Sequence, residues 1–277
     1  MQYYEKQGLN LKRGDKGADV RELQSDLISL AYNITAPPDG DYGWQTEKAV
    51  RSFQAIGGAD VTGVVDYEVA RALHKMAVDP PVTDTKFGGV PFIICPHYSS
   101  RKGEPVDMIV IHYTASGSLD GTTSWFQGPE SKVSAHYLVG KDGSVVQMVK
   151  EADKAWHAGT SEWMGRSNCN VFSIGIEIIN WGILQKKDDG FYCAINNKYT
   201  QKYNGETPVE SGDHFWEPYT GEQYEALAEL VRDIIQRRGI EVARVVGHSD
   251  IAPVRKTDPG AHFDWARFRK SLAVEPV

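Results

Sequence analysis

Between Ala77 and Asp107 the periodicity of the chain stops, and this break constrains the fold more than any other feature. The stretch holds Pro80-Pro81, Gly88-Gly89, Pro91, Pro96 and Pro105. Proline fixes φ and lacks an N–H donor, so such a stretch supports neither a long helix nor a central strand. The chain is therefore expected to fold as two units, residues 1–77 and 107–277, with 78–106 as linker and extended lead-in. A length of 277 residues is comfortable for two domains.

The first unit reads as helical. Val20, Leu23, Leu27 and Leu30 recur along one helix face, as do Ala49, Val50 and Phe53 in the segment that starts at Thr46. Pro37-Pro38-Asp39-Gly40 forms a turn between them, and a third short helix is predicted over 67–76. There is a weak internal echo. Asp39-Gly40-Asp41-Tyr42-Gly43 leads into one helix, and Thr62-Gly63-Val64-Val65-Asp66 leads into the next. By itself this says only that a small three-helix domain has glycine turns.

The second unit mixes strand and helix signals. Met108 to Ile111 is a short apolar run of strand type, and 172–179 is another. Segments 135–139 and 144–149 flank Lys141-Asp142-Gly143 as a hairpin. Thr220 to Arg238 is the clearest helix: Thr220 and Gln223 fit a capping box, Tyr224, Leu227, Val231 and Ile234 form the apolar face, and Gly239 stops it. Val242 to Val246 reads as a last strand. This alternation predicts an α/β sheet covered by helices. Residues 181–218 break the pattern, being polar with Asp188-Asp189-Gly190 and Asn196-Asn197, and read as an insertion or long loop.

Composition excludes several functions. Acids outnumber bases 37 to 30, a formal charge of −7, so nucleic acid is not an expected partner. The longest apolar runs are far too short to span a bilayer, so no membrane insertion is expected. The first residues lack the apolar run of a secretory signal. Cys95, Cys169 and Cys193 form no CxxC pair; the odd count leaves at least one thiol unpaired, and free buried thiols are expected for at least two.

Two histidines fall where strands end: His112 closes 108–111 and His248 follows 242–246. Ends of central strands converge on one rim of an α/β sheet. Asp258 follows His248 by ten residues, and two imidazoles with one carboxylate are a common catalytic zinc set. Glu177 sits inside an apolar strand, where a carboxylate is costly unless it is paired or faces a cleft. Burial would raise its pKa and suit it to general-base work. Each residue also has a plainer reading: a structural histidine, an Asp-Pro turn, or an ion pair of Glu177 with Arg255 or Lys256.

These blocks carry a resemblance. Gly247-His248-Ser249-Asp250-Ile251-Ala252-Pro253, followed by Arg255-Lys256-Thr257-Asp258-Pro259-Gly260, resembles the signature of the N-acetylmuramoyl-L-alanine amidases of the AmpD type. Segments 110–115, 134–139, 155–159 and 173–177 agree in order, so the likeness spans about residues 107–270. It implies the α/β (α+β) fold shared with peptidoglycan-recognition proteins, a mixed central sheet flanked by helices. It also implies His112, His248 and Asp258 as zinc ligands, Glu177 as catalytic base and Lys256 as the residue that supports the oxyanion. Trp156 and His157 match positions along the substrate groove, and His136 would pack beneath the site. Residues 11–20, 23–24, 39–43, 46, 49–50 and 53–54 are similar to the peptidoglycan-binding domain 1 family, so peptidoglycan is the implied partner.

Three functions fit the resemblance. A wall-degrading amidase would reach the periplasm or exterior without a signal peptide, as a phage endolysin or injected toxin does, with a delivery or immunity partner left unidentified. A cytoplasmic recycling amidase would act on soluble anhydro-muropeptides. A non-catalytic recognition protein would be expected to lack a metal ligand, and every ligand position is filled.

Overall fold

The computed structural model of the chain describes residues 1–34, 37–56, 60–86, 90–195 and 198–273; Gly88-Gly89 and Asn196-Asn197 lie outside them. Two compact units result. One holds Met1–Thr83 with Phe92–His97 and Thr123–Ser134, and the other holds Asp84–Pro91, Tyr98–Thr122 and Ala135–Val277. The first unit thus takes in two segments that lie beyond a linear boundary at residue 77.

Helices Ala18–Ser29, Trp44–Ile56 and Tyr67–Val78 build the first unit. Their apolar faces meet in a core that includes Val20, Leu23, Leu27, Val50, Phe53 and Leu73. The second helix starts two residues ahead of Thr46, and Asp66 caps the third by accepting from the Val69 N–H. Tyr3 is also buried in this core, with its hydroxyl donating to Asp26 at 2.8 Å, a role its position near the terminus does not advertise.

The internal echo proves to be a repeated hydrogen-bond device. Gln24 accepts from the Gly40 N–H at 2.8 Å and donates to Asp39 Oδ1 at 2.7 Å and the Asp41 carbonyl at 3.1 Å. Gln54 accepts from the Gly63 N–H at 2.8 Å and donates to Thr62 Oγ1 at 3.1 Å and the Val64 carbonyl at 2.8 Å. Each glutamine sits on a helix and satisfies the backbone of a following glycine turn, where the glycine φ is +76° or +74°. Replacing either glutamine with leucine would leave a buried N–H and carbonyl unsatisfied, at a cost of about 1–3 kcal/mol. Urea unfolding of the full chain checks this, and a loss below about 0.5 kcal/mol in both variants would show that the turns hold without the clamps.

In the second unit a five-stranded sheet runs in the order Val245–Gly247, Met108–Tyr113, Ser173–Ile178, Tyr137–Val139, Val145–Gln147. The first four strands are parallel, and the last closes an antiparallel hairpin at the edge. Strand alternation then assigns the two faces. Ile109, Ile111, Ile174, Ile176 and Ile178 pack with Leu227, Val231 and Ile234 of the Gly221–Arg238 helix. Met108 and Val110 pack on the opposite face with Ala158, Cys169, Phe172 and Ile251. The capping box forms as predicted, Thr220 Oγ1 accepting from the Gln223 N–H at 3.0 Å and Gln223 Oε1 from the Thr220 N–H at 3.1 Å. Residues 242–244, expected in a strand, form a 3-10 turn instead, and the strand is only Val245–Gly247.

Two further expectations are corrected. The insertion is no loop. Ile183–Lys187, Gly190–Ile195, Lys198–Lys202, Val209–Ser211 and His214–Trp216 form an antiparallel sheet of their own. Asp188-Asp189, which suggested a loop, joins Ile183–Lys187 to Gly190–Ile195 as an antiparallel pair. The lead-in is also anchored to its unit. The Asp84 N–H donates to Gln147 Oε1 at 2.7 Å, and the Gln147 N–H donates to the Pro91 carbonyl at 3.0 Å. All three cysteines are buried free thiols.

Candidate metal centre and active site

The site forms where two parallel strands end. His112 is the fifth residue of Met108–Tyr113, and Glu177 is its register partner on Ser173–Ile178. Alternation puts both side chains on the face opposite the long helix, in line with Met108 and Val110 and with Ser173 and Gly175. His248 opens a four-residue helix directly after Val245–Gly247. The Asp258-Pro259 turn folds back against this point: a Cβ on Gly247 would lie 2.7 Å from Pro259 Cδ, so the close approach needs glycine. The Ser249 N–H donates to the Asp258 carbonyl at 2.9 Å and holds the turn there.

Three atoms converge. His112 Nδ1 lies 2.9 Å from His248 Nδ1 and 2.9 Å from Asp258 Oδ2, and His248 Nδ1 lies 2.9 Å from the same oxygen. All three residues are buried. His248 Nε2 donates to the Ala158 carbonyl at 3.0 Å; a carbonyl only accepts, so in neutral His248 the lone pair is on Nδ1. That lone pair faces the Asp258 carboxylate oxygen, and no proton between them can come from either group. Such opposed lone pairs suit a cation, and two imidazoles with one carboxylate are a donor set for a divalent metal with a free position. Burial pushes the His112 imidazole down to about 4, which keeps it neutral and able to ligate.

Glu177 is set apart electrostatically. Its Oε2 is shut off from solvent and has no hydrogen-bond partner among the described residues. Desolvation, then repulsion from Asp258, pushes its carboxyl well above the ordinary range, and the nearby Lys256 ammonium opposes the shift. Lys256 is half-buried on the segment that carries Asp258. Arg255 does not pair with Glu177. Its guanidinium donates to the carbonyls of Ala158 and Thr160, both at 2.8 Å, and so ties the 156–160 loop to the Asp258 segment.

The other named residues separate. Trp156 is 36% exposed and its indole N–H donates to Ser99 Oγ at 3.1 Å. His157 is buried, its Nδ1 2.9 Å from His112 Nε2, the ring nitrogen of His112 turned away from the cluster. His136 is fully buried, accepting on Nδ1 from the Gly175 N–H at 2.9 Å. Sequence reasoning missed Asn170, whose Oδ1 accepts from the N–H groups of His157 and Ala158 at 3.1 and 2.8 Å. It also missed how the insertion supports the site. Trp216, its last strand residue, stacks on His262 at 5.1 Å, and Tyr219 stacks on the same ring at 5.0 Å and donates to the Pro259 carbonyl at 2.8 Å.

Residues 102–261, more than half of the chain, match the family model described as N-acetylmuramoyl-L-alanine amidase. The chain belongs to that family. This amidase is 38% identical over 198 residues to the 1,6-anhydro-N-acetylmuramyl-L-alanine amidase AmpD of Escherichia coli K12, covering 65% of this chain and 90% of the relative. It is 37% identical over 168 residues to the N-acetylmuramoyl-L-alanine amidase AmiD of the same organism, covering 58% of this chain and 51% of AmiD. A crystal structure of a selenomethionine AmpD derivative superposes with a TM-score of 0.52 at 30% identity, covering 69% of this chain and 99% of that one. Residues 16–73 of the amidase match a second model, described as a putative peptidoglycan binding domain. No helix among its described residues is long and apolar enough to cross a membrane.

Proposed function

We propose that this amidase is a zinc-dependent hydrolase that cleaves the amide between N-acetylmuramic acid and L-alanine in wall peptidoglycan, with the first unit holding the polymer. The observation that carries this reading is the pairing of a convergent His112/His248/Asp258 donor set with an unpartnered, desolvated carboxylate at Glu177. Zinc on that donor set supplies a Lewis acid that acidifies water and polarises a carbonyl. Glu177 has the raised proton affinity of a general base: it takes the proton of the attacking water and returns it to the departing alanine nitrogen. The Lys256 ammonium supports the negative charge that develops on the carbonyl oxygen. The exposed Trp156 ring offers a flat apolar face for substrate at the rim.

A second reading has its own support. The relative most of whose length is matched is named for a 1,6-anhydro substrate, which favours a soluble anhydro-muropeptide and a cytoplasmic recycling role. The match of residues 16–73 favours polymer, because a soluble fragment needs no anchor. Digesting intact sacculi and a soluble anhydro-muropeptide side by side, with and without chelator, and reading products by mass spectrometry separates the two. Stem peptides freed from sacculi and lost on chelation are the expected result. Cleavage of the soluble fragment alone assigns a recycling enzyme, and binding to sacculi without cleavage of either substrate sinks the catalytic reading.

A further inference from the structure

His112 reaches the cluster through Nδ1, and which of its nitrogens carries the proton decides whether it can ligate at all. Nothing on the cluster side settles this, but the hydrogen bonds behind the ring do. The Ser173 hydroxyl donates its one proton to the Cys169 carbonyl at 2.6 Å, a partner that only accepts. Ser173 Oγ is then the acceptor of its 3.1 Å contact with His157, so His157 carries its proton on Nε2. The Nδ1 of neutral His157 is consequently a lone pair, and the 2.9 Å contact with His112 Nε2 makes His112 the donor.

The chain of bonds is built for its occupant. Gly175 sits beside Ser173 on the same strand face, and a Cβ there would run into the His157 ring. Asn170 Oδ1 collects the N–H groups of His157 and Ala158 and fixes the loop that presents the ring.

We propose that His157 is a positioning residue: it links the Cys169 carbonyl and Ser173 to His112 and holds the His112 Nδ1 lone pair into the His112/His248/Asp258 cluster. The inference rests on reading that cluster as a metal site. It replaces a groove role for His157 with one exerted wholly through His112.

Two measurements test it. In metal-free full-length protein labelled with 15N-histidine, long-range proton–nitrogen correlation should show His112 and His157 as Nε2–H tautomers. In Ser173→Ala, where His157 loses its acceptor, His112 should shift toward a mixture of tautomers although no ring has been removed. His157→Phe keeps a ring of similar size but cannot accept, and its zinc affinity by chelator competition should fall about 10–100-fold, the usual cost of losing a partner behind a ligand. An Nδ1–H tautomer of His112 in the wild type, or zinc affinity within about twofold of wild type in His157→Phe, overturns the proposal. A wild-type protein that takes up no zinc defeats the proposed function instead, and the metal-free spectrum then still decides this inference, including where His157→Phe fails to fold.

Discussion

Glu177→Gln is expected to lower turnover of muropeptide by about 10²–10⁴-fold while leaving bound zinc at the wild-type level. The substitution keeps the shape but exchanges one carboxylate oxygen for an amide NH2, which removes the proton-accepting group. None of the three convergent ligand atoms belongs to Glu177, so metal content should not move. A variant with wild-type turnover would remove Glu177 from the chemistry. The same change should alter stability in a direction set by linkage. The folded-state proton affinity of Glu177 is raised, so its contribution to stability is full below the ordinary carboxylate range and is lost as pH rises through the elevated folded value. Glutamine has no charge to bury. Compared with chelator-treated wild type, Glu177→Gln should therefore melt higher at pH 8, and the gap should close toward pH 4. An equal difference in melting temperature at both pH values would show that Glu177 is not desolvated in the folded chain.

Asp258→Ala should abolish activity together with metal binding. Its Oδ2 is the atom that both Nδ1 groups approach at 2.9 Å, and removing it takes the one anionic donor out of the cluster. The fall in zinc affinity should exceed the 10–100-fold typical of a residue behind a ligand, which sets it apart from His157→Phe. Zinc stoichiometry after dialysis, read beside turnover, checks this. Full zinc content in active Asp258→Ala would show that the cluster is not the metal site. Activity lost at unchanged zinc content would give Asp258 a different task.

Much of this site can be found by local rules. Strand alternation places His112 with Met108 and Val110, and Glu177 with Ser173 and Gly175, on one face of a sheet whose other face is sealed by the Gly221–Arg238 helix. A charged residue in such a strand stands out because nearly all its neighbours are apolar. The helix boundaries at Thr220 and Gly239 are legible for the same reason: capping chemistry acts within four residues. The repeated glycine turns of the first unit are visible as an echo, although nothing in the sequence singles out Gln24 and Gln54 as their clamps.

What escaped local rules depends on distant partners. The insertion looked like a loop because its strands are short and polar on one face, and only their pairing with one another makes them a sheet. The resemblance matches His157 to a groove position, and nothing local in the sequence shows that its ring fills the space that Gly175 leaves open on another strand.

The sequence by itself determined the strand and helix periods and which histidines and carboxylates could act together, because backbone geometry and capping are short-range. Tertiary structure alone decided which nitrogen of His112 and His248 faces the centre, that Arg255 serves carbonyls and not Glu177, and that Glu177 Oε2 has no hydrogen-bond partner among the described residues. Hydrogen-bond direction and desolvation are properties of the surroundings, and here those surroundings come from segments as far apart as residues 112, 157, 177 and 258.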